Sequence, residues 1–446
     1  MTRPRSFRLV CDPSRIPSVL ALLEAEGYLS EAEPFSPLCR RLVQEPAPLG
    51  SSLAAFFGYI YIQDRSAMLP PLALRPNIGD AVLDMCASPG GKSSFLAQLA
   101  GEIGFILANE PSQTRLATLR ANLHTLNLPN VATCGYDGAR LPLRPNAWNA
   151  ILLDPPCSGW GTEEKHPKVC TLWKGKKIDT LAGLQRLLLR RASELLAPGG
   201  RLLYSTCTTN PAENQDQVRF AGDELGLVPE ALEGFPGFVF EETDVPGTLL
   251  VDGKGSGAQG FFLALLRKPA RTGEIPAAMS SDAATPVFGD GPSPRRRSRR
   301  GGEGAGRDGK SSGTACGVEL PPTALAVPGW SVQRLPPGRI LAFGEKVRFL
   351  PRLAETMVPK DMVWQGALLG KFSGGRFRPA PRLRTLMADE TCAPRLVLEE
   401  TGAVRSLLAG ESLSVGFEEP WVGLWWRDLP LGSVCVKRGR VLASFA

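Results

Sequence analysis

The chain has 446 residues, of which 43% are hydrophobic, and a net charge of +7 from 51 basic and 44 acidic side chains. This length predicts two or three domains with an ample core. No apolar run approaches the ~20 residues that span a bilayer, which argues against a membrane protein. The ten cysteines show no disulfide or metal-ligand spacing, so we expect free thiols in the cytoplasm and no bound metal.

Residues 1–55 contain one amphipathic stretch, "IPSVLALLEAEGYL" (16–29), which predicts a small helical cap. From about residue 79 to 268, short apolar runs alternate with helical patterns. The predicted strands are 80–87, 104–110, 130–137, 148–154, 201–207 and 259–268, and the predicted helices are 92–100, a helix capped by Ser112, and about 180–196. This alternation predicts an α/β fold with a parallel sheet covered by helices on both faces. Ligands of such sheets bind beyond the carboxyl ends of the strands.

The first of these strands ends in "DMCASPGGKSS", a glycine turn that leads into a helix. The triphosphate-binding loop requires a glycine where this chain has Cys86, and the dinucleotide G-x-G-x-x-G spacing is also missing. A turn at a helix N-terminus can still bind a carboxylate or another anion. Lys92 is electrostatically unfavourable at that terminus, which indicates a role elsewhere in the site.

Three later strands each end in a carboxylate, namely Glu110, Asp137 and Asp154. An acid that follows the unit of strand, glycine turn and helix is placed to accept hydrogen bonds from ribose hydroxyls. Asp137, on the next strand, is placed for an adenine amino group. A glycine turn with three acids, but without a triphosphate loop, predicts a nucleoside cofactor, and S-adenosylmethionine fits best.

Two cysteines also follow apolar runs, Cys157 in "ILLDPPCSGWGT" and Cys207 in "LLYSTCTTNPAENQ". A single buried cysteine is most often a small hydrophobic residue that packs. Here both thiols stand at the carboxyl ends of predicted strands, beside the proposed cofactor site. That shared position favours a chemical role for the pair.

Four successive motifs resemble those of the Sun (Fmu) family of RNA cytosine-5 methyltransferases: "DMCASPGGKSS", "ANEPSQTR", "LLDPPCSGWGT" and "LLYSTCTTNPAENQ". The flanking segments "GYIYIQDRSAMLPPLAL" (58–74) and "GAQGFFLALLRK" (257–268) fit the same family, so the resemblance covers about residues 56–268. It implies a Rossmann-like S-adenosylmethionine-dependent methyltransferase sheet. The cofactor-binding residues that it implies are Cys86, Ala87, Ser88, Pro89, Gly90, Gly91, Lys92, Glu110, Arg115, Asp137 and Asp154.

The resemblance also implies the catalytic residues, with Cys207 as the nucleophile and Cys157 as the thiol that assists release. Carbon 5 of cytosine is a weak nucleophile until a thiolate adds to carbon 6, so covalent catalysis divides one hard step into easier ones. Asp154 would hydrogen-bond the base as charge shifts onto it, and Lys92 would lower the pKa of the Cys207 thiol. The target base should be single-stranded or flipped out of a helix.

Two other interpretations remain at this stage. In DNA cytosine-5 methyltransferases the nucleophile would be Cys157, which leaves the "TCTTNPAEN" run unexplained. The chain could also be a catalytically inert RNA-binding scaffold with the same fold, although the two thiols and three acids argue against this. Methyltransferases that act on exocyclic amines need an aromatic residue after Asp-Pro-Pro, where this chain has Cys157.

The remaining sequence predicts a linker and a second folded part. Residues 271–320 are rich in Gly, Ser and Pro and carry an arginine run, which predicts a flexible basic linker that either tethers RNA or only spaces domains. Residues 321–446 predict a small β-rich domain, and "LLGKFSGGRFRPAPRL" resembles the start of a PUA-like RNA-binding tail. His166 is predicted to be structural or neutral.

The predicted organisation is therefore a cap (1–55), a catalytic domain (56–270), a linker (271–320) and a PUA-like domain (321–446). We expect a cytoplasmic monomer that acts on RNA, without DNA or membrane partners. Ribosomal RNA of the small subunit is the preferred substrate, and transfer RNA is the alternative.

Overall fold

A computed structural model describes residues 4–163, 175–270, 287–288, 315–328, 330–332, 334–384, 393–442 and 445. His166 and most of the predicted linker lie outside the described residues. Within these ranges, no helix has both the length and the apolar character to cross a membrane.

The N-terminal unit is a four-stranded sheet with one long helix, so the prediction of a helical cap for residues 1–55 is wrong. Its elements are β1 (Ser6–Leu9), α1 (Ile16–Ala25), β2 (Leu29–Glu33), β3 (Ser36–Gln44), α2 (Leu53–Phe56) and β4 (Ile60–Ile62). The strands lie in the order β2-β3-β1-β4. Only α1 carries a helical apolar period that is visible in the sequence. The short, partly charged strands depend on their partners, because β1 is buried between β3 and β4.

The central domain contains the predicted alternation of strands and helices. Its elements are α3 (Leu69–Leu74), β5 (Ala81–Asp84), α4 (Gly91–Ala100), β6 (Phe105–Asn109), α5 (Gln113–Leu126), β7 (Val131–Cys134), β8 (Trp148–Leu153), α6 (Lys176–Leu195), β9 (Leu196–Thr206), α7 (Gln215–Asp223), β10 (Val228–Glu230), β11 (Phe240–Glu241), β12 (Leu249–Val251) and β13 (Phe261–Arg267). Strands β7, β6, β5, β8 and β9 run parallel in that order. Strand β13 pairs antiparallel with β9, so the complete sheet is mixed.

Successive residues of the central strands face different cores, which explains why these strands are continuously apolar. On β5, Leu83 packs in a cluster with residues of α6 and α7, whereas Val82 packs in a cluster with residues of α3, α4 and α5. The helices therefore cover both faces of the sheet. The α/β fold predicted from the sequence is confirmed.

The C-terminal region is rich in β-structure, as predicted. Its elements are β14 (Val287–Phe288), β15 (Ala315–Cys316), β16 (Val318–Leu320), β17 (Gly338–Phe343), β18 (Lys346–Pro351), α8 (Arg352–Met357), β19 (Trp364–Gln365), β20 (Ala367–Ser373), β21 (Arg376–Pro379), β22 (Arg395–Leu398), α9 (Thr401–Leu408), β23 (Leu413–Ser414), β24 (Trp421–Trp426), β25 (Leu429–Lys437) and β26 (Arg440–Leu442). Two five-stranded sheets form, in the orders β16-β17-β18-β20-β21 and β22-β24-β25-β26-β23. Strand β19 instead pairs with β7 and extends the central sheet.

The two ends of the chain share one hydrophobic core, which we call the joint core. It contains buried residues of the N-terminal unit, such as Phe7 and Leu22, together with Leu424 and Trp426 of β24 and Val404 of α9. The sequence analysis treated these parts as separate domains. The structure instead packs the second C-terminal sheet against the N-terminal unit, some 400 residues away along the chain.

Candidate active site

The end of β5 places one carboxylate beneath the glycine turn. Asp84 is only 1% exposed and accepts a hydrogen bond from the Ser93 hydroxyl at 2.6 Å. Burial raises the pKa of Asp84 to about 6, although Ser93 and the Lys92 charge oppose that shift. Asp84 is not among the site residues predicted from the sequence, although it lies inside the "DMCASPGG" motif. Its position as the last residue of a buried strand could have identified it.

The glycine turn itself is enclosed by the N-terminal unit. Gly90 has a φ of +108°, which favours glycine, and Gly91 begins α4. A Cβ at Gly91 would lie 2.4 Å from the Gln63 side-chain oxygen and 2.7 Å from the Tyr61 ring. No larger residue fits there without displacing these side chains. Strand β4 and the residue that follows it therefore pack directly against the start of α4.

The end of β6 holds two neighbouring polar residues that join this turn to the next strand. Glu110 is 2% exposed, accepts the Ser112 amide at 2.9 Å and lies 3.3 Å from the Arg115 guanidinium. Arg115 in turn donates to the Ser88 carbonyl at 3.2 Å. Asn109, which the sequence analysis missed, donates from its amide to the Met85 and Tyr136 carbonyls. The Ala87 amide also donates to the Asn109 carbonyl. Four of the predicted cofactor residues are therefore joined between the glycine turn and the start of α5, namely Ala87, Ser88, Glu110 and Arg115.

Asp137 follows β7 and is exposed. Its carboxylate accepts the Ala139 amide at 3.1 Å and caps the short turn of 3-10 helix at Gly138–Arg140. This exposed carboxylate lies after the strand next to β6, where the sequence analysis expected an adenine contact.

Asp154, directly after β8, forms the polar centre of the site. Lys92 donates to one of its oxygens at 2.7 Å, and the buried Ser205 hydroxyl donates to the other at 2.9 Å. Burial acts to lower the pKa of Lys92, but the Asp154 carboxylate outweighs this and the pKa is raised overall. Lys92 therefore stays charged. Strands β8 and β9 are parallel neighbours, with Leu153 opposite Tyr204, which is why Asp154 and Ser205 meet.

The two cysteines lie side by side, as their strand ends predict. The Cys157 and Cys207 sulfurs are 3.3 Å apart. The pKa of Cys207 is lowered, first by the Cys157 thiol that donates to it and also by Lys92. The pKa of Cys157 is raised well above its ordinary value, by the same hydrogen bond and by burial. The second thiol is therefore the largest cause of the lowered pKa of Cys207, ahead of Lys92, which was the cause predicted from the sequence.

The loop after Cys157 is packed tightly over Cys207. The Gly161 amide donates to the Cys207 carbonyl at 3.1 Å, and Gly260 donates to the Gly161 carbonyl at 3.0 Å. A Cβ at Gly161 would lie 2.1 Å from the Gly260 carbonyl oxygen, so this close approach requires glycine. Within the part of the chain that the structure describes, no group of His, Cys, Asp or Glu side chains could hold a metal ion.

This sheet, with a glycine turn and acids at its carboxyl edge, has the Rossmann-like fold of S-adenosylmethionine-dependent methyltransferases. Residues 71–267 match the family model described as 16S rRNA methyltransferase RsmB/F. A solved structure of a methyltransferase homolog from Pyrococcus horikoshii is 31% identical, with a TM-score of 0.53, and the match covers 60% of this chain and 87% of that one. The catalytic region, residues 71–267, belongs to the RsmB/F family, which confirms the resemblance predicted from the motifs.

Curated relatives in bacteria carry the name ribosomal RNA small subunit methyltransferase F. The protein of Cronobacter sakazakii is 37% identical over 285 residues, which are 61% of this chain and 58% of that relative. The protein of Klebsiella pneumoniae is 39% identical over 238 residues, 52% of this chain and 49% of that relative. The chain thus spans about half the length of these relatives. NSun6 from Pyrococcus horikoshii, solved with SFG, is 22% identical with a TM-score of 0.54, covers 60% of this chain and 92% of its own, and shows the fold alone.

Proposed function

We propose that this protein transfers a methyl group from S-adenosylmethionine to carbon 5 of a cytosine in small-subunit ribosomal RNA. The observation that carries the proposal is the pair of sulfurs, 3.3 Å apart, beside the ion pair of Lys92 and Asp154. A methyltransferase that acts on a nucleophilic nitrogen or oxygen has no need of two adjacent thiols. A ring carbon that must first be activated by addition does need a nucleophile and a means to remove it.

The residues of the carboxyl edge fit S-adenosylmethionine. The glycine turn from Cys86 to Gly91 lies at the N-terminus of α4, where amides and the helix dipole favour the methionine carboxylate. Glu110 would accept hydrogen bonds from the ribose hydroxyls, with Arg115 beside it, and Asp137 would face the adenine. When bound, S-adenosylmethionine supplies an electrophilic methyl group.

The two cysteines would form and release the covalent bond to the base, and Asp154 would hydrogen-bond the base. The Cys207 thiolate would add to carbon 6 while the ring nitrogen takes up a proton, and Asp154 would accept hydrogen bonds from that N–H group and from the amino group. Lys92 keeps Asp154 in place. Once the Cys207 sulfur is bonded to carbon, the hydrogen bond between thiol and thiolate is lost, and with it the largest cause of the raised pKa of Cys157. Cys157 then assists loss of the carbon 5 proton and release of Cys207.

The relatives' names and the β-rich C-terminal region support ribosomal RNA as the substrate. The C-terminal region carries arginine side chains stacked on aromatic rings, such as Arg395 over Trp425 at 4.3 Å and Arg427 over Trp426 at 4.5 Å. A PUA-like RNA-binding domain at residues 321–446 is part of this proposal, as are a monomeric state and a cytoplasmic site of action. Arg376 and Arg378, on β21, are exposed and could contact phosphates.

Bisulfite sequencing of total RNA, with and without the gene, tests the proposal, because 5-methylcytosine resists the deamination that converts cytosine. We expect one cytosine of the small-subunit RNA to lose protection in the deletion strain and to regain it on complementation. A lost position in transfer RNA instead would make that RNA the substrate. Loss of no position would contradict methylcytosine formation, and S-adenosylmethionine binding without methylation would then favour the inert scaffold.

A further inference from the structure

A buried carboxylate lies behind the two cysteines and is used by no step above. Glu213 is fully buried, in the short turn of 3-10 helix at Pro211–Glu213 that precedes α7. Its two oxygens accept four hydrogen bonds: from the Ser158 hydroxyl, from the Ser158 amide at 2.9 Å, from the Asn210 amide group at 3.2 Å, and from the Gln185 amide group at 3.0 Å. Because every donor is also buried, these bonds are shielded from water.

The four bonds connect both cysteine loops. Ser158 follows Cys157 directly, and its hydroxyl also contacts the Thr208 hydroxyl at 2.8 Å. Thr208 follows Cys207 directly, and Asn210 lies two residues further along. Gln185 of α6 completes the network, because its amide group also donates to the Pro156 carbonyl at 3.0 Å. Glu213 thus bonds directly to the residue after Cys157 and is linked to the residue after Cys207 through the Ser158 hydroxyl. Through Gln185 it is also linked to the proline before Cys157.

The network requires an ionised carboxylate. An acceptor-only group can take donors at both oxygens, whereas an amide would point its own N–H group at two of the four donors. A buried charge is tolerated only when its hydrogen bonds are satisfied, and charged hydrogen bonds are roughly twice as strong as neutral ones. Such a group holds its neighbours in a single arrangement.

We propose that Glu213 is a positioning residue that holds the Cys157 and Cys207 sulfurs at the separation that their shared chemistry requires. The kinetic part of this inference rests on the proposed function, whereas the geometric part does not. Glu213 acts through Ser158, Thr208 and Asn210. Small displacements of reacting groups are costly, since a misplacement of about 1 Å can reduce a rate ~100-fold.

A dithiol reagent measures the separation of the sulfurs without RNA. Phenylarsine oxide bridges two adjacent thiols as both S–H bonds and the As–O bond break, two As–S bonds form and water leaves. Peptide mapping of the full-length protein should find Cys157 and Cys207 bridged by arsenic, and Cys157→Ala should abolish the bridge. In Glu213→Gln we expect the rate of bridging to fall at least tenfold.

Steady-state methylation of RNA is the second measurement. We expect kcat of Glu213→Gln to fall about 100-fold, while the KM values for S-adenosylmethionine and RNA stay within about twofold of wild type. Glu33→Gln is the matched control, because Glu33 is 4% exposed and pairs with Arg65 at 2.8 Å instead of bonding to a residue beside Cys157 or Cys207. This control should keep both the arsenic bridge and kcat, even if it loses stability.

The outcomes separate this inference from the proposed function. A folded Glu213→Gln variant with wild-type bridging and kcat would overturn the positioning role. If wild-type protein forms the bridge and Glu213→Gln does not, but neither methylates RNA, the positioning role stands and the proposed function fails. Should Glu213→Gln not fold, Ser158→Ala removes the hydroxyl that links Glu213 to Thr208. Wild-type bridging in Ser158→Ala would then refute the proposal.

Discussion

The active site and the joint core differ in how they are built. The site buries polar side chains such as Asp84 and Glu213 almost completely, and each belongs to a motif of consecutive residues. The joint core is almost entirely apolar and combines residues of the N-terminal unit with others beyond residue 395. Burial of apolar surface stabilises the fold, whereas burial of ionisable groups costs stability unless each is paired.

Burial therefore lowers the stability of the protein at the active site and raises it in the joint core. Substitution of the site's two cysteines should change chemistry with limited effect on folding, whereas substitution of its buried carboxylates should also change stability. Substitutions in the joint core should change folding while leaving the chemistry of folded molecules intact.

The two cysteines should give opposite gel patterns. Cys207→Ala should abolish methyl transfer, a loss of at least about 10³-fold, and form no covalent RNA complex, because no thiolate adds to carbon 6. Cys157→Ala should also stop turnover but accumulate a protein–RNA adduct that survives denaturation, visible as a retarded band with labelled RNA and S-adenosylmethionine. Melting temperatures should change little in either variant.

The double variant is the control for this assignment and should show no adduct. An adduct in Cys207→Ala that is absent from Cys157→Ala would exchange the two roles, as in the DNA enzymes. Normal turnover in both single variants would remove covalent catalysis from the proposal.

Trp426→Ala should lower the stability of the protein and leave its catalysis unchanged. The side chain is 1% exposed in the joint core, and removal of such an indole costs about 3–5 kcal/mol of unfolding free energy. Denaturant unfolding would measure this loss, with Val397→Ala as control, because Val397 is 43% exposed on the same sheet and should change by less than about 0.5 kcal/mol. The rate of methyl transfer per folded molecule should remain at the wild-type level. A selective loss of catalysis would instead couple the joint core to the site.

Asp84→Asn should change how stability depends on pH. The pKa of Asp84 is about 6 in the folded protein and about 3.9 in an unfolded chain, so the native state binds more protons between these values. This group therefore makes stability fall as pH rises from about 4 to about 6, by up to about 3 kcal/mol. The amide of the variant can bond to the Ser93 hydroxyl and the Cys86 amide, the two partners of the carboxylate, without carrying its charge. Urea midpoints from pH 5 to 8 should be flatter in the variant and higher than wild type at pH 8; parallel curves would refute this.

Cys157→Ala should also raise the pKa of Cys207. Without the donating thiol, the main cause of the lowered pKa is lost, and burial then acts to raise it. The pH midpoint for alkylation of Cys207 by iodoacetamide, followed by mass spectrometry, should move upward. Trp426→Ala is the comparison and should leave the midpoint unchanged. An unchanged midpoint in Cys157→Ala would instead make Lys92 the main cause of the lowered Cys207 pKa, as predicted from the sequence.

Much of the site could be predicted because its residues stand at strand ends. The predicted strand at 148–154 is observed as Trp148–Leu153, and the predicted helix at 92–100 as Gly91–Ala100. Asn109 and Glu213 were missed because their side chains act on backbone and loops that only the folded chain brings near. The N-terminal strands were missed because short strands with charged residues have no periodic signal of their own.

The sequence by itself determined the order of the strands and helices in the central domain and the motifs at their ends, because apolar periods and glycine turns are local properties. Tertiary structure decided the rest. The 3.3 Å contact of Cys157 with Cys207 depends on β8 and β9 being parallel neighbours. The joint core depends on burial between segments about 400 residues apart, and no local pattern encodes which apolar surface will meet another.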